Sequence, residues 1–360
     1  MPAPRDQEDR FAERVLDWFD AHGRKDLPWQ GQSGSYPVWI SEIMLQQTQV
    51  ATVIPYFQRF IARFPDIGTL ADAPVDAVLR HWSGLGYYAR ARNLHKTAQR
   101  VRDRYAGELP RDAALLEALP GIGRSTAAAI LALSFGDRHA ILDGNVKRVL
   151  ARYHACEGWP GDAAVLKRLW EYAERHTPAR RIEEYTQAMM DLGATVCTRA
   201  RPRCGDCPLS ADCRALALDD PARYPAPRPR KALPVRVRHM LLLTTPVGEI
   251  LLQKRPPAGI WGGLWSFPEF DDVDALRAWC YIHLGDQAKP SAYPGMRHTF
   301  SHFHMDIIPH RVMTDNPTDF VMEAEQWLWY KTDEKADVGL SAPVLRLLGQ
   351  LTESDDGAHG

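Results

Sequence analysis

The sequence predicts an α+β protein in which an all-helical domain precedes a smaller α/β domain. Strong helix formers at helical spacing fill most of the first part of the chain. Residues 219–235 hold five prolines and four basic residues, a composition typical of an extended linker. Beyond it, residues 237–245 and 250–255 predict a β-hairpin around a turn. The predicted boundaries are 1–218, a basic Pro-rich linker at 219–235, 236–352, and a tail at 353–360.

Charge is distributed unevenly over the 360 residues, although the formal net charge is only −1. Residues 1–230 carry 32 Lys and Arg against 28 Asp and Glu, and the remainder carries 12 against 17. Between residues 81 and 111, basic residues outnumber acidic ones by seven to two. Such a run forms either a solvated helix face or a surface for phosphates. The basic residues are Arg90, Arg92, Lys96, Arg100, Arg102, Arg104 and Arg111.

The chain contains no membrane-spanning pattern, because no apolar run approaches the roughly 18–20 residues that cross a bilayer. Its charged start, MPAPRDQEDR, is unlike a signal peptide. We therefore expect a soluble, cytoplasmic protein, associated with the nucleoid if bacterial, and a monomer.

The stretch 119–150 contains a tight turn between two predicted helices. Pro120 cannot continue the first helix, and Gly121 and Gly123 allow positive φ and close backbone approach. The second helix begins near Ser125 and ends at Gly136, in the position of a C-cap. Amide groups at such a helix start form a site for an anion such as a DNA phosphate. The same pattern is also that of a simple helix junction.

Two carboxylates stand out in predicted helical contexts. Asp143 precedes a helix in a glycine turn, where it is either an N-cap or a functional group. Glu42 lies in residues 38–50, on a helix stripe with amide side chains, and is either a surface residue or an acid. Gln47 falls on the other side of an ideal helix, so any role beside Glu42 requires the helix to end or distort there.

Four cysteines follow the spacing Cys-x6-Cys-x2-Cys-x5-Cys, which indicates a metal site. Four thiolates suit zinc or an iron–sulfur cluster, and only one of the short knuckles typical of zinc ribbons is present. The four are Cys197, Cys204, Cys207 and Cys213. Cys156 and Cys280 lie outside this pattern and are expected to be packing residues.

The stretch 119–150 resembles the helix-hairpin-helix and Gly/Pro–Asp signature of base-excision DNA glycosylases. Residues 38–50 and the loop at 84–88 resemble the A/G-specific adenine glycosylases, the MutY family. The resemblance implies an all-α glycosylase domain in which Glu42 is the general acid, Asp143 stabilises a cationic sugar and Asn145 orients the groups around it. It also implies DNA contacts by Gln47, Tyr87, Gly121, Gly123 and Ser125.

Ser125 stands where the strand-cutting members of this superfamily carry a lysine nucleophile. Without that amine, Schiff-base chemistry has no nucleophile at this position. The resemblance therefore implies a monofunctional glycosylase that hydrolyses with water. By the same resemblance, residues 197–213 form the loop of a structural [4Fe–4S] cluster held by the four cysteines.

Residues 259–268 resemble the loop before the catalytic helix of Nudix hydrolases. Between Glu269 and Glu323 the chain has no Glu, so it lacks the Glu-dense helix that holds magnesium in those enzymes. We expect a Nudix-like domain kept for lesion recognition. In adenine glycosylases, the residues at the places of Phe300, Ser301 and His302 probe 8-oxoguanine. Residues 297–304 contain three histidines, His298, His302 and His304, but no local carboxylate or thiol that would complete a zinc site.

The resemblance covers nearly the whole chain. It implies an adenine DNA glycosylase of base excision repair that binds double-stranded DNA and removes adenine mispaired with 8-oxoguanine or guanine. Two alternatives remain: a bifunctional glycosylase/lyase for pyrimidine lesions, and a non-catalytic protein that binds damaged DNA.

Overall fold

The chain divides into two compact units in the computed structural model. The first unit comprises Met1–Asp72 and Asn93–Arg230, and the second comprises Ala73–Arg92 and Lys231–Gly360. The described residues are 4–32, 34–229, 232–315, 326–331 and 338–356. Residues 230–231 of the predicted linker and 357–360 of the predicted tail lie outside them. No helix within the described ranges is long and apolar enough to cross a membrane.

The regular structure of the first unit is helical. Its helices are α1 (Pro4–His22), α2 (Ser35–Leu45), α3 (Val50–Arg63), α4 (Ile67–Asp72), α6 (Ala89–Arg104, which begins in the second unit), α7 (Ala113–Glu117), α8 (Arg124–Phe135), α9 (Gly144–Tyr153), α10 (Ala163–His176), α11 (Ile182–Asp191) and α12 (Arg214–Ala217). One π-helical turn, Leu192–Val196, follows α11, and short 3-10 turns occur at Cys204–Asp206, Ser210–Asp212 and Pro221–Arg223.

The core of the first unit forms around the apolar face of α1. The sequence predicts an amphipathic helix over residues 10–22 with Phe11, Val15, Trp18 and Phe19 on one side. Phe11, Val15 and Phe19 are buried, and Trp18 is partly buried against the same core. They belong to one cluster with residues of α9, α10 and α11, among them Leu150 and Leu169. This packing holds α9, whose N-terminus carries Asp143, against three other helices.

Ala73–Arg92 groups with the second unit, whereas the sequence-based boundaries place it in the helical domain. This stretch contains α5 (Val75–His81) and the glycine loop after it. The hydroxyl groups of Ser83 and Tyr88 both donate to the carbonyl of Leu340, at 2.7 and 2.9 Å. These long-range hydrogen bonds explain the grouping, and local sequence patterns do not report them.

The second unit is built on an eight-stranded sheet. Its strands are β1 (Val235–Thr244), β2 (Glu249–Lys254), β3 (Trp265–Ser266), β4 (Glu269–Phe270), β5 (Ser291–Ala292), β6 (Met296–Thr299), β7 (His304–Met313) and β8 (Trp327–Lys331). The main path runs β3-β2-β1-β7-β5, with β4 beside β1, β6 beside β7 and β8 beside β2. Its helices are α5, α13 (Val273–Leu284) and α14 (Ala342–Asp356).

The predicted hairpin is present, because β1 and β2 pair antiparallel with Thr244 opposite Ile250. The long pairing of β1 with β7 is parallel and runs from Val235 opposite His304 to Thr244 opposite Met313. Leu241, Leu243 and Cys280 belong to the core between this sheet and α13. The two unassigned cysteines, Cys156 and Cys280, are buried among apolar residues, which agrees with a packing role.

The predicted linker does not begin as a free segment. Tyr224 is 4% exposed, and its carbonyl accepts a hydrogen bond of 3.0 Å from Arg152 of α9. The carbonyl of Pro221 accepts from the same guanidinium group at 2.9 Å. The first residues of the Pro-rich segment are therefore fixed to the helical unit. At the other end, α14 continues to Asp356, into the stretch that the sequence assigned to a tail.

Candidate active site

Glu42 is the one charged residue of α2, a helix that is otherwise apolar or uncharged. Most of this helix is buried, including Trp39 and Ile40, which have no exposed surface. A helix that is apolar nearly all round is a core element, so its position is fixed by packing on several sides. Glu42 is only partly accessible and faces a cleft of about 810 Å³.

Asp143 faces the same cleft from the N-terminus of α9. Its side chain caps this helix, since Oδ1 accepts the amide hydrogen of Val146 at 2.8 Å. Oδ2 accepts a weaker hydrogen bond from the side-chain amide of Asn145 at 3.2 Å. The two interpretations of Asp143, helix cap and cleft residue, therefore hold together: one oxygen serves the helix while the carboxylate lines the cleft.

The cleft brings together five of the residues that the sequence singled out. They are Glu42, Gln47, Ser125, Asp143 and Asn145. Its remaining lining comes from the segment after α1, α2 and the loop after it, the starts of α3 and α8, α9, α11, the π-helical turn and the cysteine loop. It is wide enough for a purine, because a site of a few hundred cubic ångströms encloses a drug-sized ligand.

The two carboxyl groups of the cleft have different electrostatic surroundings. Burial, and then the negative charge of Asp143, raise the pKa of Glu42 to about 8. Burial also raises the pKa of Asp143, but the amides of Val146 and Asn145 and the charge of Arg148 oppose that rise. These effects favour the protonated form of Glu42 at neutral pH, and they surround Asp143 with groups that stabilise a negative charge.

Gln47 lies outside α2, which ends at Leu45. The φ angle of Gln47 is +58°, in the left-handed region, and its side chain is exposed. This backbone reversal meets the condition that the sequence set for a role beside Glu42. Gln46 remains at the cleft wall, where its amide donates to the Thr126 hydroxyl at 3.4 Å.

The turn at Leu119–Gly123 joins α7 to α8 as a helical hairpin. Gly121 has φ +81°, and a Cβ atom at this position would come within 2.9 Å of the Cβ of Asn93. Both constraints require glycine. Gly123 is the N-cap residue of α8, and Gly136 ends that helix with φ +66°. The predicted C-cap is therefore confirmed.

The Ser125 hydroxyl accepts the amide hydrogen of Leu142 at 2.9 Å. This hydrogen bond holds the segment just before Asp143 against the first turn of α8. Ser125 therefore lines the cleft with a hydroxyl that already has a backbone partner, and it presents no amine there.

The helix that Asp143 caps also holds the cysteine loop. Arg148 donates to the side-chain oxygen of Asn145 at 2.8 Å and to the carbonyl of Cys197 at 2.7 Å. One turn later, the buried Arg152 donates to Cys197 Sγ at 3.3 Å. The π-helical turn lies so close to the start of α9 that a Cβ atom on Gly193 would be 2.6 Å from the Cβ of Asn145. Glycine at position 193 permits this close approach.

The four thiols predicted to bind metal are free of disulfides and line one cavity. Val149, Tyr153, Leu209 and Leu216 supply part of its apolar wall. Within the described ranges, no three potential ligands converge closely enough to hold one metal ion. Four thiolates around one space are a donor set that suits an iron–sulfur cluster.

Tyr87 and the segment 300–302 belong to the second unit. Tyr87 is 50% exposed with φ +49°, whereas Tyr88 is buried. Of the two aromatic residues in the glycine loop, only Tyr87 is therefore directed to solvent. Ser301 and His302 are exposed at a turn between β6 and β7.

The predicted basic patch is only partly available for phosphates. Arg90 is 8% exposed, and burial lowers its pKa to about 10. Arg102 pairs with Asp72 and Asp103, and Arg111 pairs with Asp137. These interactions neutralise or bury three of the seven basic residues in that run.

Known proteins resemble this chain along most of its length. Residues 40–175 match the family model of the HhH-GPD superfamily of base excision DNA repair proteins, and residues 239–350 match that of the NUDIX domain. An adenine DNA glycosylase from Buchnera aphidicola subsp. Acyrthosiphon pisum is 39% identical, over 94% of this chain and 96% of the relative. The human adenine DNA glycosylase is 36% identical over 88% of this chain and 70% of the relative.

This chain belongs to the adenine DNA glycosylase family. It is therefore a DNA N-glycosylase of base excision repair. A solved structure of a thermostable thymine-DNA glycosylase aligns with TM-score 0.54 and 26% identity over 60% of this chain and all of that one. The fold predictions, a helix-hairpin-helix glycosylase domain followed by a Nudix-like domain, are confirmed.

The cleft of this glycosylase also contains residues that the sequence did not single out. They are Arg24, Trp29, Thr126, Arg148 and Gln187, among others. Arg24 is fixed by its ion pair with the buried Asp191, to which Gln187 also donates at 2.8 Å. These residues come from four separate segments, and no local motif links them. Gln187 shares a helix face with Glu184 and Asp191, so no break in an apolar stripe marks it either.

Proposed function

We propose that this glycosylase hydrolyses the N-glycosidic bond of adenine mispaired with 8-oxoguanine or guanine, and that it does not cut the strand. The observation that carries the proposal is the shared cleft of Glu42 and Asp143, with the pKa of Glu42 raised to about 8. An acid that is neutral at pH 7 beside a stabilised anion is the pair that glycoside hydrolysis needs.

Glu42 acts as the general acid in this proposal. Glycosidic cleavage leaves electrons on the departing adenine, and a proton donated toward adenine N7 makes it a better leaving group. A carboxyl group delivers that proton only if it is still protonated at the working pH. Burial in α2 and the charge of Asp143 both favour the protonated form.

Asp143 stabilises the sugar in this proposal. As adenine departs, positive charge develops on the deoxyribose, and a fixed carboxylate nearby lowers the energy of that state. The N-cap bond from Val146 and the amide of Asn145 orient the carboxylate before substrate binds. Arg148 in turn holds Asn145 by a hydrogen bond of 2.8 Å.

Water completes the reaction, because the position of the lyase nucleophile is taken by Ser125. A Schiff base requires an amine, which serine does not have. The Ser125 hydroxyl also accepts a hydrogen bond from the backbone amide of Leu142. We therefore propose a monofunctional enzyme.

The target nucleotide must leave the base stack, at a cost of a few kcal/mol. We propose that Gln47 and Tyr87 enter the vacated space, since both are exposed on left-handed backbone at loop tips. The hairpin at Gly121, Gly123 and Ser125 is proposed to bind the phosphate backbone through amide hydrogens at the start of α8.

The second unit is proposed to identify the base opposite adenine. A hydroxyl and an imidazole distinguish the N7–H donor of 8-oxoguanine from the N7 acceptor of guanine. Ser301 and His302 supply these groups on an exposed turn, and Phe300 supplies an aromatic surface.

We propose that Cys197, Cys204, Cys207 and Cys213 hold a [4Fe–4S] cluster, which would cross-link the loop through four thiolates. No step of base excision involves it. The hydrogen bond from Arg152 to Cys197 Sγ connects this loop to the helix that carries Asp143.

The test uses duplexes that contain adenine opposite 8-oxoguanine, adenine opposite guanine, or a pyrimidine lesion. After incubation, half of each sample is heated with alkali, and all samples are run on a sizing gel. We expect strand breaks only after alkali, and only in the two adenine duplexes. Breaks without alkali would indicate a lyase, and binding without breaks would indicate a non-catalytic damage-binding protein.

A further inference from the structure

The lesion-reading residues project from a tight turn that has two aromatic anchors. The amide of Phe300 donates to the carbonyl of Phe303 at 2.9 Å and closes the turn, with Ser301 and His302 at its tip. The Phe303 ring is completely buried and stacks on Phe300 with a centroid distance of 4.5 Å. Phe303 thus fixes one side of the turn, and the His298 ring contacts Phe300 edge-on with a centroid distance of 4.6 Å.

Trp261 contacts both Phe300 and His298. Its ring centroid lies 5.4 Å from that of Phe300 and 5.7 Å from that of His298, the residue two positions earlier in β6. The indole is only 8% exposed. Trp261 is therefore a buried ring that packs against the base of the turn.

The backbone of Trp261 is strained in a way that its surroundings maintain. Its φ angle is +53°, a left-handed conformation that bulky residues rarely adopt. Its carbonyl accepts the amide of Leu264 at 3.0 Å. Strain of this kind persists where the neighbouring structure requires the side chain in one place. Here the neighbouring structure is the aromatic turn.

The loop of Trp261 is also attached to the segment that carries Tyr87. Arg92 donates through Nη1 to the carbonyl of Gly262 at 2.6 Å. Two residues earlier, the Arg90 guanidinium lies 5.5 Å from the Tyr87 ring centroid and donates to the Gly86 carbonyl at 3.1 Å. The first turn of α6 therefore contacts the Tyr87 loop through Arg90 and the Trp261 loop through Arg92.

We propose that Trp261 is a positioning residue for lesion recognition: it holds Phe300, and so aims Ser301 and His302. The hydrogen bond from Arg92 fixes the Trp261 loop relative to the Tyr87 loop within the same unit. This proposal rests on the proposed role of the 300–302 segment, and it adds a residue that does not touch DNA.

The activity test compares adenine excision opposite 8-oxoguanine and opposite guanine under single-turnover conditions. We expect Trp261→Leu to lower the ratio of the two rates about tenfold, while excision opposite guanine stays within about twofold. Trp279→Leu is the matched control, because Trp279 packs on Phe270 and Trp327 in the same unit. An unchanged ratio for Trp261→Leu overturns the proposal.

A double variant separates positioning from an independent effect. If Trp261 acts through the turn, adding Trp261→Leu to His302→Ala lowers the ratio no further than His302→Ala alone. Fully additive losses overturn the proposal. Arg92→Met is also expected to lower the ratio. An unchanged ratio for Arg92→Met would show that the Arg92 hydrogen bond has no part in positioning Trp261.

A measurement without DNA keeps this proposal distinct from the proposed function. We expect Trp261→Leu, but not Trp279→Leu, to accelerate hydrogen exchange at the Phe300 amide, which closes the turn. Trp261→Phe should restore part of the protection. Unchanged exchange refutes positioning by Trp261. If the unmodified protein shows no preference for 8-oxoguanine, the proposed specificity fails instead.

Discussion

Asp143 and Glu42 line one cleft, and the negative charge of Asp143 adds to burial in raising the pKa of Glu42 to about 8. The two carboxyl groups come from positions about a hundred residues apart, on the buried helix α2 and at the cap of α9. Burial and this charge favour the protonated form of Glu42, while the amides of Val146 and Asn145 and the charge of Arg148 favour the ionised form of Asp143. This difference is the basis of the first prediction.

The first prediction concerns pH. Since the protonated form of Glu42 is the active one, the excision rate should be constant near neutral pH and fall as pH rises through about 8. Well above that pKa the fall should approach tenfold per pH unit. Single-turnover rates from pH 6 to 9.5 check this, with duplex affinity measured in parallel. A rate that increases from pH 8 to 9.5 would exclude Glu42 as the acid.

The second prediction concerns strand cleavage. Ser125 offers a hydroxyl bound to the Leu142 amide and no amine, so no Schiff base should form with the sugar. Borohydride added during turnover should therefore trap no covalent protein–DNA complex above the level of a reaction lacking borohydride. Trapping in proportion to the amount of adenine released would contradict the monofunctional mechanism.

The third prediction concerns the residues that fill the space of the extruded base. Tyr87→Ala should slow excision by roughly tenfold or more, because stacking on a base contributes about 1–3 kcal/mol. Tyr281→Ala is the matched control, as Tyr281 is an aromatic residue of the same unit with 67% exposure. Gln47→Ala should slow excision in the same direction. If Tyr87→Ala and Tyr281→Ala behave alike, Tyr87 does not enter the duplex.

The fourth prediction concerns stability in acid. His154 and His176 contact each other through their Nε2 atoms at 2.9 Å and stack on Tyr172 and Phe11. The pKa of His154 is lowered to about 3, by burial and then by the charge of His176. The pKa of His176 is lowered to about 4, by burial and then by the charge of Arg175. The unfolded chain binds these protons near pH 6.5, so folding stability is lost as pH falls from about 6.5 toward 4.

Each histidine should contribute about 1.4 kcal/mol per pH unit within that window. The apparent melting temperature should therefore drop between pH 6.5 and 4, and His154→Phe, which keeps the ring stacking, should make the drop shallower. His283→Phe, at an exposed position on α13, is the control. Equal slopes for His154→Phe and the unmodified protein would contradict this assignment.

Local patterns in the sequence predicted much of the fold and of the site. The apolar spacing of Phe11, Val15 and Phe19 predicts the buried face of α1, and the turn chemistry around Gly121 predicts the helical hairpin. Each of these depends on residues within one or two turns of each other. Local patterns left Glu42 open between a surface residue and an acid, and Asp143 open between a helix cap and a functional group. The resemblance to known glycosylases implied a catalytic role for both.

Other features depend on long-range contacts, and local patterns do not report them. The grouping of residues 73–92 with the second unit arises from hydrogen bonds of Ser83 and Tyr88 to Leu340, more than 250 positions away. Arg90 looked like part of a phosphate-binding surface but is buried against aromatic rings. Helical periodicity alone does not show where a helix ends, and α2 ends at Leu45, so that Gln47 lines the cleft from the loop after it.

The most direct test of the central claim is single-turnover release of adenine by Glu42→Gln, on a duplex with adenine opposite 8-oxoguanine. Glutamine keeps the size and polarity of the side chain but has no acidic proton to donate. We predict loss of adenine release with duplex affinity largely retained and no loss of thermal stability. Release at the rate of the unmodified protein would contradict a mechanism in which Glu42 protonates the departing base.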